Sequence, residues 1–93
     1  MKTERERLAS LIGCEVVLDT HSDLFYVGTL KAVDRWFYVL VGVDVHDRRE
    51  SSSSKEVYLI ESRKYGIKKN RDEVLVRASE VVSISRLEDV IIY

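Results

Sequence analysis

The sequence contains no proline and only one cysteine, Cys14, in 93 residues. Without proline, nothing forbids an extended segment from lying inside a sheet. A single cysteine excludes a disulfide framework within the chain and fits a reducing compartment, so we expect a cytoplasmic protein. The longest apolar run, from Trp36 to Val43, is far too short to span a bilayer. The charged beginning, "MKTERERLAS", does not resemble a secretory signal.

An excess of one charge is also absent. The 15 lysines and arginines oppose 16 aspartates and glutamates, which gives a formal net charge of -1. The chain therefore has no global basic field, and any contact with nucleic acid would have to be local.

Signals of catalysis are scarce. The serine run at residues 51–54 lacks the glycines of a nucleophile elbow, and no glycine-rich phosphate loop is present. Asp44 and His46, at alternate positions of a strand-like segment, could share one face as a metal pair. Two ligands do not make a structural zinc site, however. We expect no enzyme, no metal and no cofactor.

What the chain does contain is one short helix signal followed by five strand-like runs. Thr3 and Glu6 stand in capping-box spacing and an apolar stripe ends at Gly13, which predicts a helix from about Thr3 to Leu11. The strand-like runs are "CEVVLDT", "LFYVGTLKAVD", "RWFYVLVGVDV", "EVLVR" and "EVVSISRL". Gly28, inside the second run, indicates a bend or a close backbone approach. We predict a mainly β fold, a strongly bent five-stranded antiparallel sheet curled into a small barrel.

The predicted core and the predicted sheet edges follow from these runs. Neither "EVLVR" nor "EVVSISRL" carries a proline or an inward lysine that would protect a free edge. We expect these two strands to pair head to tail between neighbouring copies and to close a homomeric ring. The predicted core consists of Leu11, Val17, Phe25 or Tyr26, Leu30, Val39, Val41, Val76, Val82 and Ile84.

A polar segment separates the third and fourth strand-like runs. "HDRRESSSS" predicts a mobile loop tip. After it, Ser53 and Glu56 stand again in capping-box spacing, and "KEVYLIESRKYG" ends at Gly66, which predicts a helix. Taken alone, "EVYLI" fits a strand equally well. We interpret residues 45–71 as a loop-plus-helix insertion in a single domain that spans residues 1–93.

Two segments resemble the sequence motifs of the Sm and LSm family, the Sm-like proteins that include Hfq. "GTLKAVDRWFYVL" resembles the first motif and "VLVRASEVVSI" resembles the second. The order of one helix and five strands is also that of the family, so the resemblance covers nearly the whole chain apart from the insertion. It implies an SH3-type small barrel whose copies form a ring that binds single-stranded RNA. The matching residues are Gly28, Leu30, Val33, Asp34, Leu40, Val76, Arg77 and Val81.

The resemblance also implies an RNA-binding site, formed by Asp34, Trp36, Phe37, Arg77 and Ala78. Trp36 occupies the position of the family's stacking residue, whereas Phe37 replaces an asparagine that hydrogen-bonds a base. Because phenylalanine has no donor or acceptor, we expect stacking to survive and base-specific readout to be weakened. Ala78 replaces a glycine, which would cost roughly one to two kcal/mol if that position required a positive φ.

The aromatic run also allows a second interpretation. Trp36, Phe37 and Tyr38 would then pack against the N-terminal helix and the interfaces between copies. Arg77 would be a strand-end residue paired with Asp34. A module of this kind would bind protein partners through its strands and its inserted helix, without binding RNA.

A second candidate surface lies in "RKYGIKKNR", residues 63–71. Basic residues around an aromatic ring fit neutralisation of a phosphate backbone combined with base stacking. The alternative is a solvated helix terminus, where the helix dipole favours cations. This basic patch comprises Arg63, Lys64, Tyr65, Lys68, Lys69 and Arg71.

Overall fold

The chain forms the predicted helix and five strands, with a second helix between the third and fourth strands. The computed structural model describes residues 1–50 and 53–93, so Ser51 and Ser52 of the predicted loop tip lie outside the described residues. The elements are α1 (Glu4–Ala9), β1 (Glu15–Thr20), β2 (Leu24–Val33), β3 (Phe37–Asp47), α2 (Lys55–Tyr65), β4 (Arg71–Arg77) and β5 (Val81–Arg86), with one-turn 3-10 helices at Ala78–Glu80 and Leu87–Asp89. None of the described helices is long and apolar enough to cross a membrane.

All five strands belong to one antiparallel sheet in the order β4-β3-β2-β1-β5. Within this sheet, β2 and β3 approach each other closely at Gly28. A Cβ atom added at Gly28 would lie 3.2 Å from both the carbonyl oxygen of Val41 and Cγ2 of Val43. Gly42 has a φ of +58°, close to a shift in the pairing register. The predicted close approach at Gly28 is therefore confirmed. β4 and β5 are the outermost strands, and each keeps one free edge among the described residues.

Alternate residues of the strands bury their side chains on one face of the sheet, which we call the inner face. Leu8 and Leu11 pack against this cluster, from α1 and the turn that follows it. The predicted cap of α1 is confirmed, because the Thr3 hydroxyl accepts a hydrogen bond from the Glu6 amide at 3.2 Å. The buried residues of the inner face are Val16, Leu18, Leu30, Tyr38, Leu40, Val43 and Val76.

A second buried cluster lies on the opposite, outer face of the sheet. Val17, Phe25 and Val27 point to this side and pack against Leu59 of α2 and Leu87. The inserted helix therefore covers the outer face of β1 and β2. "EVYLI" is helical, as one of the two sequence interpretations predicted.

The capping residue of α2 differs from the prediction. Ser54, not Ser53, is the N-cap, since its hydroxyl accepts from the Val57 amide at 3.2 Å. The predicted end is confirmed, because Gly66 has a φ of +95° and its amide donates to the Ser62 carbonyl at 2.9 Å. With β3 ending at Asp47 and β4 beginning at Arg71, residues 48–70 form the segment between these strands.

The predicted core is confirmed in part, because Val39 and Val41 belong to neither buried cluster and Val82 is exposed. Val17, Phe25, Leu30 and Val76 are buried, whereas Val82 is 59% exposed. The sheet pairs Asp19 with Ser83 and Thr20 with Val81, and this register shift leaves Val82 without an opposite residue. A bulge of this kind breaks the alternation from which the inward orientation of Val82 was inferred. The other predicted residues are half-buried: Leu11, Tyr26, Val39, Val41 and Ile84.

Candidate nucleic-acid interface

The turn between β2 and β3 is held by one carboxylate. Oδ1 of Asp34 accepts the amides of Trp36 at 2.7 Å and Phe37 at 2.8 Å, and the Asp34 amide donates to the Phe37 carbonyl at 3.0 Å. Aspartate side chains commonly fix turns by bonding the backbone two residues further on. These backbone donors stabilise the ionised form and hold the pKa of Asp34 below its ordinary value.

The three consecutive aromatic residues have three different environments. Tyr38 is buried in the inner cluster, where burial and the negative charge of Glu4 raise its pKa. Phe37 is half-buried, and Trp36 is 66% exposed. The two sequence interpretations therefore apply to different residues, because Tyr38 packs while Trp36 remains open to solvent.

The turn between β4 and β5 lies against the turn that carries Trp36. Arg77 pairs with Phe37 in the sheet, and the Ala78 amide donates to the Trp36 carbonyl at 2.8 Å. The structure therefore brings together all the residues of the predicted site, including Asp34. No described residue other than glycine has a positive φ, so Ala78 is not strained here and the cost considered for it does not arise.

Two guanidinium groups flank these aromatic rings. Cζ of Arg35 lies 5.1 Å from the centroid of the Trp36 ring, and Cζ of Arg77 lies 5.9 Å from that of Phe37. Neither arginine forms an ion pair with a described residue, so the Asp34–Arg77 pair considered above is absent. A chain of nearly balanced charge thus has a local positive surface beside an exposed aromatic ring. The contact made by Arg35 was missed by the sequence analysis.

The basic patch begins in the last turn of α2, with Arg63, Lys64 and Tyr65, and continues to Arg71 at the start of β4. The ring of Tyr65 is 78% exposed, and the side chains of Lys64 and Lys68 form no ion pair within the described parts of the chain. Arg63 donates to the Val90 carbonyl at 2.7 Å, and Lys69 pairs with Asp72 at 3.2 Å. Arg71 donates to the Asn70 carbonyl at 2.8 Å. Among the described residues, no hydrogen bond, ion pair or ring contact joins the patch to the Trp36 turn.

A polar cluster that sequence reasoning missed anchors α2 to the outer face. The Tyr58 hydroxyl and the Asn70 amide donate to opposite oxygens of Asp44, the latter at 3.1 Å. The His46 ring stacks on Tyr58 with their centroids 4.1 Å apart. Burial raises the pKa of Asp44, and the nearby charge of His46 opposes that shift. The alternation of Asp44 and His46 was a usable signal, but their partners lie far away in sequence.

A second carboxylate anchors the start of the same helix. Asp19 pairs with the Lys55 ammonium and accepts a hydrogen bond from the Ser83 hydroxyl at 3.1 Å. Within residues 1–50 and 53–93, no group of three or more His, Cys, Asp or Glu side chains is arranged to hold a metal ion. The carboxylates of the outer face thus fasten the inserted helix to the sheet.

Comparison with known proteins identifies the fold. No protein-family model matches the chain, and no curated protein sequence matches it. Among solved structures, the Pyrococcus abyssii Sm protein in complex with a uridine heptamer aligns with a TM-score of 0.63 at 14% identity, covering 91% of this chain and 99% of that chain. The Sm-like protein AF-Sm2 of Archaeoglobus fulgidus aligns with a TM-score of 0.64 at 16% identity, covering 92% and 96%. The fold is Sm-like.

A third similarity extends the range of assemblies in which this fold occurs. A structure of the NatC complex bound to CoA contains a chain that aligns with a TM-score of 0.57 at 24% identity, covering 90% of this chain and 86% of that chain. The likeness in all three cases concerns the fold. In this chain the Sm-like fold contains the inserted helix α2 between β3 and β4.

Proposed function

We propose that this protein is an Sm-like RNA-binding subunit of a homomeric ring in a cytoplasmic setting, with weakened base-specific readout. One observation carries the proposal. The hydrogen bond from the Ala78 amide to the Trp36 carbonyl joins two turns, and so holds an exposed aromatic ring near Arg77. An open π-face beside guanidinium groups is the arrangement that binds single-stranded nucleic acid by stacking and phosphate neutralisation.

The free edges of the sheet support assembly into a ring. β4 and β5 are the terminal strands, and they carry the exposed apolar residues Leu75 (56% exposed) and Val82 (59% exposed). Unprotected apolar edges favour pairing with another chain. Pairing of β4 with β5 of the next copy is heterologous, and a heterologous contact that closes produces a ring. The solved Sm and Sm-like relatives support the fold on which this assembly depends.

The proposed weak readout depends on Phe37. Its ring is half-buried beneath Arg77 and offers no hydrogen-bonding atom to a base edge. Trp36 would stack on any base, since every base has a π-face. We therefore propose that RNA affinity comes mainly from stacking and charge.

The basic patch extends the proposal to a second contact. Tyr65 is largely exposed, and Lys64 and Lys68 are free of ion pairs among the described residues. Two unpaired cations around an open aromatic ring suit the backbone of an RNA strand that extends beyond the central site. Arg63 is less suited to this role, because its guanidinium already donates to the Val90 carbonyl.

A protein-interaction module is the second candidate function. The exposed edge residues Leu75 and Val82 would suit strand pairing with a different protein equally well. A chain of similar fold occurs in the NatC complex, which supports the idea that a protein of this fold can assemble with different proteins. A module of this kind would use β4, β5 or α2 and would have no affinity for RNA.

The proposal is tested by two measurements on the purified protein. The first is the mass of the particle together with its ratio of nucleic-acid to protein absorbance. The second is binding to short oligoribonucleotides of different sequence as salt is increased. We expect a ring that binds each of them with similar, salt-sensitive affinity. A stable particle without RNA affinity would favour the protein-interaction module instead.

The substitution Phe37→Asn tests the cause of the weak readout. Asparagine supplies a donor and an acceptor at the position that reads a base edge in the Sm and LSm family, which this sequence resembles. A base preference that the parent protein lacks should therefore appear. Phe37→Leu is the matched control, because leucine also removes the ring but adds no polar atom. Equal sequence preference in the two variants would contradict the assignment of readout to this position.

A further inference from the structure

An apolar strip on the outer face remains uncovered by α2. It consists of Val39 and Val41 of β3 and Leu75 of β4. Val39 lies opposite Leu75, and directly opposed residues of neighbouring strands share a face. Leu75 is 56% exposed, and none of the three residues belongs to either buried cluster.

A groove lies along the other edge of the sheet, on the same outer face. This edge groove, with a volume of about 280 Å³, is bounded by α2, β1, β5 and the segment after the last 3-10 turn. Its walls include Ser85 of the free edge strand β5. Two residues at its rim are largely exposed, Ile91 at 66% and Tyr93 at 96%. Half of its lining residues are apolar, namely Val17, Leu59, Val90, Ile91 and Tyr93, and half are polar or charged, namely Asp19, Lys55, Glu56, Ser85 and Asp89.

We propose that the edge groove of each copy receives the apolar strip of the next copy around the ring. The inference depends on the ring assembly proposed above and adds a second contact to its strand pairing. The occupant of the groove is thus the outer face of a neighbouring β4, with Leu75 as its central residue.

The argument rests on the alternation of side chains along paired strands. Ile84 faces the inner cluster in β5, whereas Ser85 faces outward opposite Val17. Val76 faces the inner cluster in β4, which places Leu75 on the outer face. If β4 of a neighbouring copy pairs with β5, the side chains of both strands that point to the inner face must lie on the same side of the joined sheet. A shift of the pairing by one residue would move every side chain of β4 to the opposite face.

The spacing of strands then places the strip at the groove. Paired strands lie about 4.8 Å apart, so the neighbouring Leu75 would lie next to the outward side chains of β5. Ser85 is one of those outward side chains and also lines the groove. Within one copy the strip and the groove lie on strands that do not pair with each other, because β4 and β5 are the two terminal strands of the sheet. A second copy is therefore the partner that brings both apolar surfaces together.

An exchange of charges tests this contact in the full chain. Leu75→Lys and Ile91→Glu each place a charge in the proposed apolar contact, and each should weaken association of the ring about tenfold or more. The double variant should recover at least half of that loss, because the two new charges would face each other across the interface. Association is measured from the particle mass upon dilution. Ile12→Glu is the control, an aliphatic residue that is 46% exposed and lines neither surface.

The possible results separate this inference from the proposed function. Normal association of the Ile91→Glu ring overturns the contact. The same holds if the double variant associates no more tightly than the weaker of the two single variants. Neither result contradicts the ring assembly itself. A parent protein that is monomeric overturns the ring itself and this contact with it. Recovery in the double variant, with the control unchanged, supports the inference.

Discussion

Replacement of Trp36 by alanine separates binding from packing at the candidate interface. If the ring is a stacking platform, Trp36→Ala should lower affinity for a single-stranded oligoribonucleotide by about 1–3 kcal/mol, the range for one lost base stack. That range corresponds to a dissociation constant about five to 150 times larger. The particle should keep its mass, because the indole ring is not part of a buried cluster.

The expected effect on stability follows from exposure. A fully buried tryptophan removes roughly 200 Å² from water, and Trp36 is 66% exposed, so about 70 Å² is buried. At about 25 cal/mol per Å², its loss should reduce the free energy of unfolding by no more than about 2 kcal/mol. A tryptophan packed in a core would instead cost about 3–5 kcal/mol when changed to alanine. If a neighbouring copy covers the Trp36 ring, the loss of unfolding free energy should instead approach about 3–5 kcal/mol.

Three measurements on one preparation test this reasoning. Fluorescence anisotropy of a labelled oligonucleotide gives the affinity, thermal melting gives the stability, and sedimentation gives the particle mass. Trp36→Phe is the matched control, since it keeps an aromatic face and should retain most of the affinity. An intact, stable ring of Trp36→Ala with unchanged affinity would refute the stacking role. A dissociated ring or a large loss of stability would show that Trp36 packs between copies.

Three further predictions concern charge. Arg77→Ala should weaken RNA binding and flatten its salt dependence, because one cation no longer neutralises a phosphate; an unchanged slope would contradict this role. Lys64→Ala combined with Lys68→Ala should affect long oligonucleotides more than short ones, and equal effects on both lengths would refute an extended path. The pKa of Asp34 is lowered, so its stabilisation of the turn should be complete above its ordinary value of 3.8 and be lost as pH falls through the lowered value. Fluorescence of Trp36, the only tryptophan, should report this loss on acidification, and Asp34→Asn should abolish that transition while keeping the Oδ1 acceptor.

The sequence by itself determined the features that depend on near neighbours in the chain. The cap of α1 at Thr3 and the end of α2 at Gly66 were both predicted correctly. Each arises from one residue acting on a backbone within a few positions or from the absence of a side chain. The resemblance to two motifs also grouped Asp34, Trp36, Phe37, Arg77 and Ala78, which the structure brings close together.

Tertiary structure decided what depends on residues far apart in sequence. Both Ser53 and Ser54 can cap a helix, and in the structure Ser54 is the N-cap. Val82 was predicted to point inward from alternation alone, but the pairing of β1 with β5 introduces a bulge that exposes it. The partners of Asp44 come from beyond the strand that contains it, so no local pattern indicates them.

The same distinction applies to the aromatic run. Alternation along a strand predicts that Tyr38 and Phe37 face opposite sides, and the structure agrees. It does not predict that Trp36 lies before the strand, in a turn whose backbone is fixed by Asp34 and by the amide of Ala78. The exposure of Trp36 therefore results from the contact between two turns that are some forty residues apart in sequence, since a side chain in a turn is released from the alternation that orients residues within a sheet.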